Sequence, residues 1–266
     1  MATQARAREP MIVSFAVEHG GVLDKPRLLF DAPDTHRHAS FRALEGGDFL
    51  VLSPEVLMIG CSARTTAGTI QRVAEEALFP HYPDLKRVYA VMMPEARSVM
   101  HLDTILTQVD RKLFLGHRPL IAGQGDHAAC PVARLERDRA PALVDGASTL
   151  DVLKEEFGPD TRLVACGGDD PLYQEREQWT DGANAICLTP GHIILYARNV
   201  NTIAALAEHG FGEVRVHPVQ SEAERAERIR EGMAAERTVF SFTGSELSRA
   251  RGGGRCLTMP IERGTL

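Results

Sequence analysis

Long hydrophobic runs are missing from these 266 residues: no apolar stretch approaches the roughly 18 residues that read as a membrane span. Met1–Pro10 carries Arg6 and Arg8 but leads into no apolar run of the secretory kind. Neither a membrane partner nor a secretory signal is therefore expected. Cysteine is sparse, five residues with no close pairing, which excludes a disulfide scaffold and predicts reduced thiols in the cytoplasm. Cys-x-x-Cys and His-Glu-x-x-His are absent, and His127 and Cys130 lack a second pair, so no metal is expected. Basic charge is not in excess: 30 Lys and Arg against 36 Asp and Glu leave a net charge of -6, which disfavours a nucleic-acid partner. The Gly-x-Ser-x-Gly elbow of serine hydrolases is also missing. What remains, 44% hydrophobic and 25% charged, is the composition of a soluble globular protein with chain enough to bury a core.

Within that composition the order of elements repeats. Residues 49–53 and 56–60 are short apolar runs separated by Pro54-Glu55, and they predict paired strands. Ile70, Val73, Ala74, Ala77 and Leu78 share one face of a helix, and 87–93 predicts a further strand. The same order recurs at 185–188 and 192–196 around Pro190-Gly191, then a helix through Ile203, Leu206 and Ala207 ended by Gly210, then 213–216. A looser copy runs through 104–109, 113–115, a helix with Leu150, Leu153 and Phe157, and 162–166. Three ββαβ units predict a radially repeated α/β fold. Residues 116–148, rich in Gly, Pro, Ala, Arg and His, read as a long loop, and 221–237 as a charged surface helix opened by the capping box Ser221-x-x-Glu224.

Four islands fall outside the scaffold pattern. Glu45-Gly46-Gly47-Asp48 displays two carboxylates around a glycine turn. His101-Leu102-Asp103-Thr104 opens a strand, where residues two apart point to one side, a general acid/base beside a carboxylate. Residues 175–184 are densely polar and hold the single Trp, with Asp181-Gly182 read as an ordinary turn. Arg251-Gly252-Gly253-Gly254-Arg255-Cys256 puts a thiol beside arginine charge, which predicts a lowered thiol pKa and a nucleophile. Cys61, Cys166 and Cys187, in or beside strands, read as small buried hydrophobes. His36 and His38, flanking Arg37, read as exposed.

A thiol, a histidine and several carboxylates, each at a loop beside a strand, can converge on the axis of a radial fold. A Cys/His protease does not need so many acids. An excess of carboxylates around a thiolate suits a cationic substrate, and a guanidinium, planar and permanently charged, is bound as a fork by carboxylates. Its carbon is a poor electrophile, so covalent catalysis divides one difficult hydrolysis into two steps.

Glu45–Asp48, His101–Thr104, Glu175–Asn184, Arg198-Asn199 and Ser245–Pro260 together resemble the arginine deiminase family of guanidine-modifying enzymes, over about Arg42 to Glu262. The resemblance implies a five-bladed α/β propeller of ββαβ repeats, incomplete at the N-terminus, with 1–40 a partial blade and 41–266 the catalytic domain. It implies hydrolysis of L-arginine to L-citrulline and ammonia with no cofactor. Cys256 is then the nucleophile, His101 the general acid/base, and Glu45 and Asp103 the guanidinium carboxylates. Arg64 and Arg251 resemble the residues that take the substrate carboxylate, Asn184 the one at its amino-acid end, and Asp48 is counted among the binding residues. A further carboxylate of the family lies in an Arg-Asp-Pro-like string, and Arg8-Glu9-Pro10 puts Glu9 in that role. The expected partner is a small guanidine, and a homo-oligomer is one way to complete a short ring. An amidinotransferase, a hydrolase of another guanidine and a non-catalytic guanidine-binding relative are the alternatives.

Overall fold

The computed structural model describes residues 8–21, 43–125, 127–260 and 264. His36, Arg37 and His38, and most of the segment expected as a partial blade, lie outside the described residues. Those described divide between two compact units, one within Met1–Leu102, Pro131–Asp145 and Met259–Leu266, the other within Asp103–Cys130 and Gly146–Thr258. No described helix is long and apolar enough to cross a membrane.

In the first unit, β1 (Phe49–Val51) and β2 (Val56–Cys61) form an antiparallel pair. The Ser53 hydroxyl accepts the Glu55 and Val56 N–H groups and so closes the turn between them. Helix α2 (Ala67–Val73) starts at Thr66, whose side chain accepts the Thr69 N–H. It continues as a π turn over Ala74–Leu78 into α3 (Phe79–His81). Pro80 has no N–H to offer the carbonyl four residues back, which accounts for the widened turn ahead of it. Ile70, Val73, Ala74 and Ala77 are buried, on the face that the spacing predicts. Strand β3 (Arg87–Met92) then returns parallel to β2. Ile59, Val88, Ile70 and Phe79 meet in one core, each such side chain worth about 1.5–3 kcal/mol when fully buried. Helix α1 (Glu9–His19) buries none of its residues.

Two more strands join this sheet from the segment read as a loop: β6 (Val132–Glu136), antiparallel to β3, and β7 (Ala142–Leu143) at the edge. Only Val132 and Leu135 of β6 are buried, and both β7 residues are exposed. Their alternation is therefore too weak to stand out against the surrounding Gly, Pro and Arg.

The second unit carries the other two repeats. The looser copy is β4 (Leu106–Asp110), β5 (Leu113–Gly116), α5 (Thr149–Phe157) and β8 (Arg162–Ala165), in the order β4-β5-β8. Helix α4 (Arg118–Ala122) lies inside the stretch expected to be irregular. The last copy is β9 (Ile186–Thr189), β10 (His192–Tyr196), α7 (Val200–Ala207) and β11 (Gly212–Val216). A strand that the repeat pattern did not offer, β12 (Thr238–Phe242), inserts between β10 and β11, parallel to both. Four residues of β12 are buried and none of β11 is, so β12 takes the interior place and β11 the edge. Helix α8 (Glu222–Ala234) has the predicted capping box.

Candidate active site

Two groups of the expected residues assemble, one in each unit. In the first, the Glu45 backbone is fixed by its N–H to the Thr65 hydroxyl at 3.1 Å, just ahead of the short turn Gly46–Asp48. Its carboxylate, 5% exposed, faces His101 Nε2 at 2.9 Å and Arg64 Nη1 at 3.6 Å. Arg64 thus stands at ion-pair distance from the Glu45 carboxylate.

Asp48 is fully buried beneath this group. Its Oδ1 accepts the Leu102 N–H at 2.9 Å and its Oδ2 the Ser62 hydroxyl at 2.8 Å. A Cβ on Gly60 would run into Asp48 Oδ1 and Leu102 Cβ, so the glycine makes room for this carboxylate. The bond to Leu102 holds Leu102–Thr104 as a 3-10 turn. The extended geometry expected for His101-Leu102-Asp103-Thr104 is therefore corrected, and strand alternation does not align His101 with Asp103.

Burial pushes the Asp48 carboxyl up to about 6, against the bonds from Thr65, Leu102 and Ser62 and the nearby His101. A folded value above the unfolded 3.8 means that the folded protein holds the proton more tightly. This group's stabilising contribution is full below pH 4 and is lost as pH rises through about 6. Asp48→Asn keeps the Leu102 bond and reverses the one to Ser62. Urea unfolding at pH 4.5 and 7.5 should show a loss of stability in the unmodified protein larger by about 2 kcal/mol than in the variant.

In the second unit, Cys256 lies in a one-turn 3-10 segment, Arg255–Leu257. Asn184, fully buried, organises it: Oδ1 accepts the Arg255 and Cys256 N–H groups at 2.9 and 3.3 Å. Its Nδ2 donates to Cys256 Sγ at 3.4 Å and to the Asp103 carbonyl at 3.0 Å. A Cβ on Gly253 would collide with the Asn184 side chain, and the Tyr196 hydroxyl holds the Gly252 carbonyl at 2.7 Å. The triple glycine is a close-approach loop. Asp103, 1% exposed, places Oδ2 3.8 Å from Cys256 Sγ.

The expectation of a lowered thiol pKa is overturned. Although Cys256 as a residue is open to solvent, packing around the sulfur and then the Asp103 charge push the thiol up to about 12, with Asp181 adding to the rise. Arg251, one of the two arginines of this string, faces Asp181 at 3.8 Å. Of the other cysteines, Cys166 is buried as expected, Cys61 is half-buried, and Cys187 is exposed. Glu9, half-buried, is the first residue of α1. Asp181 reads in the sequence as a turn residue; its burial and its φ of +63° leave no mark there.

The family described as arginine deiminase matches residues 1–263. An arginine deiminase of Clostridium perfringens is 34% identical over 99% of this chain and 56% of its own length. One from Listeria innocua is 36% identical over 98% and 56%. The chain thus spans little more than half the length of these curated relatives. Among solved structures, SxtG, an amidinotransferase from Microseira wollei in the saxitoxin biosynthetic pathway, aligns with a TM-score of 0.52 at 17% identity, over all of this chain and 64% of that one. That likeness establishes the fold alone, a mixed α/β fold of several sheets. By the match over nearly its whole length, the chain belongs to the arginine deiminase family.

Proposed function

We propose that the protein hydrolyses the guanidinium of L-arginine to L-citrulline and ammonia. The observation that carries this is the Cys256 thiol 3.8 Å from the buried Asp103 carboxylate. Anionic surroundings keep the thiol protonated and inert until a cation arrives. A guanidinium at Asp103 offsets that charge, lowers the thiol pKa and presents its own carbon to the sulfur. The activation is therefore selective for positively charged substrates.

In the proposed reaction His101 takes the proton of the Cys256 thiol as Sγ bonds to the guanidinium carbon. A carbon–nitrogen bond then breaks, and ammonia leaves with a proton supplied by His101. The neutral imidazole next takes a proton from water, whose oxygen bonds to the same carbon as the carbon–sulfur bond breaks, releasing citrulline. Glu45, which faces the Arg64 guanidinium, and Asp103 are the carboxylates assigned to the cation by the family pattern. Arg64 and Arg251 are assigned to the substrate carboxylate, and Glu9 to the further carboxylate of the family pattern. Asn184 and Asp48 hold Cys256 and the Leu102–Thr104 turn in place. We read the three ββαβ sheets as blades of a five-bladed propeller, with 41–266 as its catalytic part. The unpaired cysteines suit a reducing cytoplasmic setting.

Incubating the 266-residue protein with L-arginine should yield citrulline and ammonia in equal amounts. Ornithine appearing only when an amine acceptor is added would replace hydrolysis with amidino transfer. Arginine binding without either product would leave a guanidine-binding relative.

A further inference from the structure

Asp181 follows α6 (Pro171–Trp179) and is 1% exposed. Neither of its carboxylate oxygens has a hydrogen-bond partner among the described residues. Arg251 Nη1 lies 3.8 Å from Oδ1. The same nitrogen donates to the Gln178 carbonyl at 3.3 Å and to the Trp179 carbonyl, while the guanidinium carbon stands 4.7 Å from the Trp179 ring centre. Carbonyls, an indole face and a carboxylate, all from the end of one helix, thus surround a single guanidinium. Asp181 and Arg251 both adopt φ of +63°, a left-handed backbone in which non-glycine residues are uncommon. Two such residues facing each other across an ion pair mark a site where the surroundings hold the backbone against its preference, a pattern associated with function.

We infer that Asp181 is a positioning residue whose ionised carboxylate, acting through Arg251, sets the orientation in which that guanidinium meets the carboxylate of a bound guanidino acid. The identity of the ligand rests on the arginine-hydrolysing reading; the arrangement of Asp181, Arg251 and Trp179 does not. The charged groups that act on Asp181 are Arg251, Asp103 and Arg198, and Cys256 and Tyr196 stand in its field. Burial, opposed by Arg251, brings its carboxyl up to about 6. Above that pH the carboxylate holds Arg251; below it the neutral acid releases its grip.

Trp179 is the single tryptophan of the chain, so its emission reports on Arg251 directly. Titrating that emission between pH 5 and 8 should reveal a step near 6 in the unmodified protein. The step should vanish in Asp181→Asn, which keeps the size of the side chain and tolerates the left-handed backbone, and in Arg251→Ala. With L-arginine, Asp181→Asn should raise KM tenfold or more while kcat stays within threefold, a split that a purely structural ion pair would not produce. A step that persists in Asp181→Asn, or in Arg251→Ala, would overturn the inference. Should Asp181→Asn fail to fold, the Arg251→Ala titration decides alone. An unmodified protein that makes no citrulline but shows the step, lost in Asp181→Asn, would remove the hydrolase reading and leave the control of Arg251 by Asp181 standing.

Discussion

Cys256→Ala should lower citrulline formation by a factor of at least about 10⁴ while leaving L-arginine binding within a few-fold, because the variant loses its chemistry and keeps its scaffold. Asn184 holds this segment through the backbone N–H groups of Arg255 and residue 256, and alanine retains both. Asp103 and Glu45 still offer their charge to the cation. What disappears is the sulfur, and with it the covalent step that divides a difficult hydrolysis in two. Rapid-quench assays of citrulline, paired with calorimetric titration of arginine into the variant, separate the two effects. Turnover retained above about a hundredth of the original would mean that water attacks the guanidinium directly and that the covalent route is wrong.

Asp103→Asn should move two observables in opposite directions. Removing a negative charge 3.8 Å from Sγ takes away the second cause of the raised thiol value, after burial. The thiol pKa falls, the thiolate fraction at pH 8.5 rises, and Cys256 reacts faster with iodoacetamide. Turnover nevertheless drops about 10³-fold, since a charge aimed at the reacting cation is lost. A variant whose thiol ionises more readily yet whose catalysis fails would separate the binding role of Asp103 from its effect on the nucleophile. If alkylation slows instead, the charge of Asp103 is not what holds the thiol protonated.

The parts of the fold legible in the sequence are those whose signal is local. The paired strands of each repeat are short apolar runs around a turn residue, α2 shows its buried face through Ile70, Val73, Ala74 and Ala77, and α8 carries its cap in Ser221 and Glu224. What could not be read depends on partners distant in the chain. The turn at Leu102–Thr104 is held by Asp48, 54 residues away, and β12 enters between strands that sequence order alone would pair. The state of the thiol is hidden from the sequence for the same reason. Arg255 is its neighbour in the chain, but the group opposite the sulfur is Asp103, 153 residues distant. The candidate residues themselves were legible as types in motifs, whereas their charge states were not, because those are set by burial and by neighbours in space.

The parallel pairing in these sheets has a kinetic consequence. Leu113 aligns with Arg162 and His192 with Thr238, so these sheets close only after long intervening segments have been brought together. Such pairings incur their loop-closure entropy before any contact repays it, and they fold slowly. The environment of Cys256 completes through Asn184, 72 residues away. Until then the chain carries an ordinary thiol with ordinary reactivity, and the protonated, guarded sulfur described above is acquired only with the finished fold. The raised thiol pKa is therefore a property of the folded protein alone, because only there does the Asp103 carboxylate stand beside the sulfur.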